Sequence, residues 1–168
     1  MQAIILAAGK GTRMGDLNGS PLPKVMYSLN GIPLIKYSVE NVQKAGVRDI
    51  VVVVGYQNEK VQTFLGSSVR YAVQEQQLGT GHAVMVAKSF FPEGLEGVLV
   101  CYGDMPLYKP ETVRKLIKEY EAKKPVMAML TVKFERPDDW AYGRIIRNHI
   151  GEITSIVEQK DCTSEQKR

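Results

Sequence analysis

Leu6-Ala7-Ala8-Gly9-Lys10-Gly11-Thr12-Arg13-Met14 closes an apolar run that begins at Gln2 and turns it into a glycine-rich loop. The run Gln2 to Ala8 reads as a buried strand. The loop from Gly9 to about Lys24 then lies where open α/β sheets bind ligands, beyond the carboxyl ends of their strands. Glycines let backbone N–H groups approach phosphate oxygens closely, and Lys10 and Arg13 add positive charge at the same place. Two common phosphate motifs do not fit. A P-loop, Gly-x-x-x-x-Gly-Lys-Ser/Thr, meets Ile4 where its first glycine belongs, and the dinucleotide fingerprint Gly-x-Gly-x-x-Gly meets Met14 at its third.

Outward from this stretch, helix and strand signals alternate. Pro33 to Ala45 reads as a helix with Ile35, Val39 and Val42 on one face and Gly46 as its C-terminal cap. Asp49 to Val54 is β-branched almost throughout and reads as a strand covered on both faces. Asn58 is expected to cap a helix that runs to Leu65 and stops at Gly66. A short strand near Val69 to Val73 precedes a helix from about Thr80 to Phe90, stopped before Pro92. Val98 to Tyr102 reads as another buried strand. Pro110 opens a helix with Val113, Leu116, Ile117 and Tyr120 at helical spacing. Val126 to Phe134 reads as a further strand, and Gly143 to Arg147 with Glu152 to Val157 as a hairpin turning at Asn148 to Gly151. This alternation predicts an α/β fold, a Rossmann-like and mostly parallel sheet with helices on both faces. No internal repeat and no linker interrupts it.

Composition narrows the functional classes. The 168 residues suit one compact domain over 1–168, and 44% apolar with 24% charged residues is the balance of a soluble globular protein. The longest apolar runs fall far short of the roughly 18 residues of a membrane span. The run Ala3 to Ala8 ends at once in Gly-Lys-Gly, so it reads as a strand and not as a signal peptide. A net charge of +4 suits an anionic small substrate and is too dispersed for nucleic acid. Cys101 follows the apolar residues Val98-Leu99-Val100 and reads as a reduced core thiol. With two His and two Cys scattered along the chain, no zinc site is expected, and the expected compartment is a reducing cytoplasm.

Taken with Leu22-Pro23-Lys24, the pattern Leu-Ala-Ala-Gly-x-Gly-x-Arg-Met resembles the sugar-1-phosphate nucleotidyltransferases. Gln76-Gln77-Leu78-Gly79-Thr80-Gly81-His82-Ala83, Tyr102-Gly103-Asp104-Met105-Pro106-Leu107 and Tyr142-Gly143-Arg144-Ile145-Ile146-Arg147 narrow the likeness, and Ile156 to Asp161 continues it. Together these stretches resemble the N-terminal domain of the bacterial bifunctional N-acetylglucosamine-1-phosphate uridylyltransferase and glucosamine-1-phosphate acetyltransferase family. The likeness runs in order along essentially the whole chain.

This resemblance implies a nucleotide-diphospho-sugar transferase fold and a Mg²⁺-dependent reaction. UTP and N-acetylglucosamine 1-phosphate would give UDP-N-acetylglucosamine and pyrophosphate, for the synthesis of cell-envelope (peptidoglycan) precursors. It implies that Leu6, Ala7, Ala8 and Gly9 hold the nucleotide and that Gln74, Gly79 and Thr80 read the uracil edge. Tyr102, Gly103 and Asp104 would lie beside the ribose and the metal. Arg13 would meet the leaving β- and γ-phosphates, Lys24 the phosphates about the reacting centre, and Asp104 would ligate Mg²⁺. Gly143 and Glu158 would contact the sugar hydroxyls. His82 is not expected to act as a base, because a phosphate monoester oxygen is already ionised at neutral pH; it should pack or hydrogen-bond within the first turn of its helix. In the resembled family the domain continues beyond the equivalent of Arg168 and supplies a second metal ligand. The resemblance therefore implies a C-terminally incomplete domain, with an uncovered edge that could self-associate. Two rivals stay open: a nucleotide-binding module with little catalysis, and a nucleotidyltransferase of other specificity such as a molybdenum-cofactor guanylyltransferase.

Overall fold

The computed structural model describes residues 1–9, 22–55 and 57–167. It divides into two compact units, Met1–Ala128 and Met129–Arg168.

The first unit runs β1 (Gln2–Leu6), a short antiparallel pair β2 (Ser28–Leu29) and β3 (Ile32–Pro33), α1 (Leu34–Lys44), β4 (Ile50–Val54) and α2 (Asn58–Leu65). It continues with β5 (Arg70–Val73), α3 (Thr80–Val86), β6 (Val98–Tyr102) and α4 (Pro110–Lys123). The four longer strands form one parallel sheet in the order β5-β4-β1-β6. Each face has its own core. Ile5, Val52 and Val54 pack with Ile35, Val39 and Val42 of α1, Val61 of α2 and Val113 of α4. Ile4, Val51 and Val53 pack on the other face with Ala83 of α3 and Ala87. A parallel sheet needs cover on both faces, and the unbroken β-branched run of β4 is its signature: Ile50 to Val54 are all buried. Gly46 ends α1 as expected. At φ +100° it takes the left-handed conformation, while its own N–H and that of Val47 return to the carbonyls of Gln43 (2.9 Å) and Val42 (3.2 Å).

Three local readings are corrected. Asn58 does not cap α2. Gln57 holds the cap position, and the Asn58 Oδ1 accepts from Gln62 Nε2 one turn on, at 3.2 Å. β6 is buried on one face only: Leu99 and Cys101 face the core, whereas Val98, Val100 and Tyr102 are exposed by 37%, 40% and 49%. The helical cover on that side is α3, which packs on β1, β4 and β5, and β6 is an outer strand of the sheet beyond its reach. Val126 to Phe134 forms no strand. Val126, Met127, Leu130 and Val132 are exposed, and strand propensity without a pairing partner does not make a strand.

The second unit contains the expected hairpin, β7 (Arg144–Arg147) paired antiparallel with β8 (Ile153–Val157). Asn148 shapes its turn, with Oδ1 accepting from the Glu152 N–H at 2.9 Å and the Ile150 N–H at 3.2 Å. The rings of Phe134, Trp140 and Tyr142 stack beside it.

Candidate functional site

The sheet register brings the strand ends level, with Leu6 paired to Val53 on one side and to Tyr102 on the other. From β1 the chain builds outward to β4 and β5, then crosses back to lay β6 against the opposite edge of β1. The boundary between β1 and β6 is therefore a topological switch point, where the loops part and leave a crevice. A cavity of about 260 Å³ opens there. Leu6, Ala7, Ala8 and Gly9 line it from the end of β1, and Tyr102 and Asp104 from the end of β6. Lys24 and Val25 close another wall, and Gln74, Gln77, Gly79, Thr80 and Ala83 line it from the loop after β5 and the start of α3.

Charge in the cavity is paired across it. Lys24 Nζ stands 2.6 Å from Asp104 Oδ2, with the side chains 41% and 25% exposed. In the free protein each group thus neutralises the other. An arriving phosphate meets a cation and an arriving cation meets a carboxylate. Gln74 is 4% exposed, and its Nε2 lies 3.2 Å from the Gly79 carbonyl and 2.9 Å from His82 Nδ1. This pairing differs from the expectation for His82, whose partner stands in the loop before its helix rather than within the first turn.

Asp104 sits on a turn pinned from behind by α1. The buried Ser38 hydroxyl donates to the Gly103 carbonyl at 3.1 Å, and Asn41 Nδ2 donates to the carbonyls of Pro106 (3.0 Å) and Tyr108 (2.9 Å). Beneath this turn, burial pushes the Cys101 thiol up to about 11, with a hydrogen bond to Tyr108 pulling weakly the other way. Burial, and then the neighbouring Cys101, raise the Tyr108 phenol as well. Both groups are neutral at physiological pH, so Cys101 is a core thiol and not a nucleophile.

Gly103 does not line the cavity. It is buried between Leu6, Val25 and Ile35, and its N–H donates to the Leu6 carbonyl at 2.9 Å. Gly143 and Glu158 belong to the second unit: Gly143 immediately precedes β7, and the exposed Glu158 follows β8. Arg13 lies outside the described residues.

Sequence reasoning missed several residues that shape the site. Gln77 donates to the Ala8 carbonyl at 2.7 Å and so fixes the peptide at the end of β1. Gly55 permits that approach, since a Cβ there would stand 3.0 Å from the Ala8 oxygen and 3.1 Å from Gln77 Nε2. Ser38 carried a usable signal, being a polar residue within the apolar face made by Ile35, Val39 and Val42. For Gln77 and Gly55 nothing in local sequence marks the partner.

A family model for the MobA-like NTP transferase domain matches residues 3–164. The chain belongs to this family. Among curated proteins, this MobA-like NTP transferase domain is 48% identical over 168 residues to the bifunctional protein GlmU of Symbiobacterium thermophilum, covering 99% of the chain and 34% of that protein. It is 45% identical to GlmU of Caldanaerobacter subterraneus subsp. tengcongensis, covering 99% of the chain and 35% of that protein. The matched part is their N-terminal domain, and the chain spans about a third of the length of these relatives. Among solved structures, a UDP-glucose pyrophosphorylase complexed with UDP-glucose superposes with a TM-score of 0.72 at 23% identity, over 98% of this chain and 70% of that one. A nucleotidyl transferase from Methanothermobacter superposes with a TM-score of 0.61 at 28% identity, over 70% and 56%. The fold of this MobA-like domain is that of the nucleotide-diphospho-sugar transferases.

Proposed function

We propose that the chain carries uridylyl transfer, in which UTP and N-acetylglucosamine 1-phosphate form UDP-N-acetylglucosamine and pyrophosphate. One observation carries the reading: the lysine, the carboxylate, the end of β1 and a buried amide all converge on a single cavity at the switch point. Identity above 40% with GlmU proteins supports the choice of nucleotide and sugar.

A sugar-phosphate oxygen attacks the α-phosphorus in line. The bond from that phosphorus to the bridging α–β oxygen breaks, and its electron pair leaves on pyrophosphate. Such a reaction asks little covalent work of the protein, so positioning and charge stabilisation carry it. The backbone of Leu6 to Gly9 binds the nucleotide, Gln74, Gly79 and Thr80 read its base, and Tyr102 lies by the ribose. Lys24 leaves its pairing with Asp104 to neutralise phosphate charge, and Arg13 meets the leaving phosphates. Gly143 and Glu158 contact the sugar.

Among the described residues no cluster of three or more His, Cys, Asp or Glu could cage a metal. A lone carboxylate beside a phosphate cavity does fit Mg²⁺, which is commonly held by one or two carboxylates together with substrate phosphates and water. Asp104 would be the protein's ligand, and the bound cation would stabilise charge on the phosphates. Two free buried thiols, Cys101 and Cys162, support a reducing cytoplasm as the compartment. No helix among the described residues is long and apolar enough to cross a membrane.

The deciding experiment measures pyrophosphate release from UTP, CTP and GTP against a panel of sugar 1-phosphates. Fastest release from UTP with N-acetylglucosamine 1-phosphate is expected. Preference for GTP or CTP, or nucleotide binding without release, would overturn the reading.

A further inference from the structure

Gln74 is the most buried polar side chain in the cavity wall, and its amide is held by two partners whose chemistry fixes its orientation. The Gly79 carbonyl, 3.2 Å away, can only accept, so the atom facing it must be the amide NH₂. The same nitrogen lies 2.9 Å from His82 Nδ1. With both amide hydrogens donated, Nδ1 must offer a lone pair, and the imidazole proton sits on Nε2. Gly79 holds its place as a glycine: at φ +99° a side chain would be strained, and its carbonyl also accepts from the Ala83 N–H at 3.1 Å. The carbonyl side of the lock is thus built into the start of α3, and the histidine completes it.

We infer that His82 is a specificity-positioning residue: it holds the Gln74 amide with its oxygen as the free acceptor, which selects a base edge presenting an N–H. Among the described residues nothing donates to Gln74 Oε1. Uracil carries a hydrogen on N3 and satisfies that oxygen, whereas cytosine carries a lone pair there and opposes it. Without the histidine acceptor only the Gly79 carbonyl still opposes a turn of the amide that would offer its NH₂ to cytosine, so that turn becomes easier by one hydrogen bond. A site whose polar group must be paired discriminates far better than an apolar pocket can. This inference rests on the proposed reading of Gln74 as the base-contacting residue, but the tautomer of His82 does not.

The test uses the full chain and two readouts. ¹⁵N NMR of the imidazoles, with His82 distinguished from His149 by a His149→Gln variant, should show His82 unprotonated at Nδ1 in the nucleotide-free protein. A protonated Nδ1 would overturn the lock directly. Equilibrium binding of UTP and CTP is then compared in the parent, His82→Leu and His82→Asn. His82→Leu should lose about tenfold of the preference for UTP. His82→Asn, whose Oδ1 can stand where Nδ1 stood, should recover most of it. An unchanged preference in His82→Leu, or equal loss for both nucleotides in both variants, would overturn the inference alone. A parent protein with no preference for UTP would overturn the proposed uridylyl specificity and the inference with it.

Discussion

Gly103→Ala probes the turn that carries Asp104. A Cβ at this position would stand 2.8 Å from Ile35 Cδ1 and 3.1 Å from both the Leu6 carbonyl oxygen and Val25 Cγ1. Non-bonded carbons are comfortable at about 3.5–4.0 Å, so all three neighbours would have to give way. The peptide has little room to retreat. Its N–H is bonded to the Leu6 carbonyl at 2.9 Å and its carbonyl to Ser38 at 3.1 Å, while Ile35 and Val25 are themselves buried. Overpacking of this kind costs about 1–3 kcal/mol. At about 2–4 °C per kcal/mol for a domain of this size, a mid-range cost lowers Tm by about 4–8 °C. The clash has a designed relief, because Ile35→Val removes the Cδ1 that is closest. Alone, that change should cost about 0.5–1.5 kcal/mol. In the Gly103→Ala background it should cost less or even stabilise, giving an interaction energy of about 1 kcal/mol between the two sites. Thermal unfolding of the four proteins measures the cycle, and nucleotide binding on the same samples reports whether Asp104 and the end of β1 stay in place. Refutation would come from a Gly103→Ala protein that melts with the parent, or from strict additivity of the two changes.

Other expectations follow from the same geometry. Lys24→Ala should cut turnover by about a hundredfold, the scale seen when one preorganised charge-stabilising donor is lost. Its folding cost should stay below about 1 kcal/mol, since exposed ion pairs contribute little; parental kcat in this variant, measured by pyrophosphate release, would remove the lysine from the chemistry. Asp104→Asn should raise the Mg²⁺ concentration needed for half-maximal activity, which a titration of activity against Mg²⁺ reads directly. Gln74→Ala should bring UTP and CTP turnover closer together, and a uniform loss for both would indicate a packing role. Cys101 gives the pH prediction: its folded value is raised from an ordinary 9.0 to about 11, so its burial stabilises fully below pH 9 and that contribution fades as pH rises toward 11. Urea midpoints at pH 8 and pH 10 should therefore fall more steeply in the parent than in Cys101→Ala.

Strand-end chemistry was the legible part of this molecule. The run Ile50 to Val54 reads as a strand because β-branched residues without alternation need cover on both faces, and the sheet supplies it. Gly46 reads as a cap because the helix pattern stops one residue before it. The same local logic fails where an outcome depends on a distant surface. Val98 to Tyr102 looks as apolar as β4, yet it is an outer strand and only its Leu99 and Cys101 face a helix layer. Val126 to Phe134 has strand composition and no described partner, and composition alone does not hydrogen-bond a backbone.

In the site the division falls between groups that would touch a ligand and groups that hold them. Lys24, Gln74 and Asp104 are recognisable from residue type and from the motifs they stand in or beside, so local sequence can carry them. Ser38, Asn41, Gly55, Gln77 and His82 act on backbone or side chains elsewhere in the chain, and apart from Ser38, a polar residue on an apolar helix face, nothing in their own stretch of sequence marks the group each one holds. Their effect is nonetheless to remove freedom from the first group: the Asp104 turn is tied to α1 at Gly103, Pro106 and Tyr108, and the Ala8 peptide is tied to Gln77. Preorganised charge is worth most when it costs no reorganisation during the reaction. Damage to Ser38 or Asn41 should therefore appear in turnover before it appears in nucleotide affinity, since the loosened carboxylate and lysine can still find a ground-state phosphate. Ser38→Ala and Asn41→Ala test this when kcat and UTP affinity are measured side by side. Affinity lost in step with turnover would mean that these residues support the fold as a whole and not the alignment of the site.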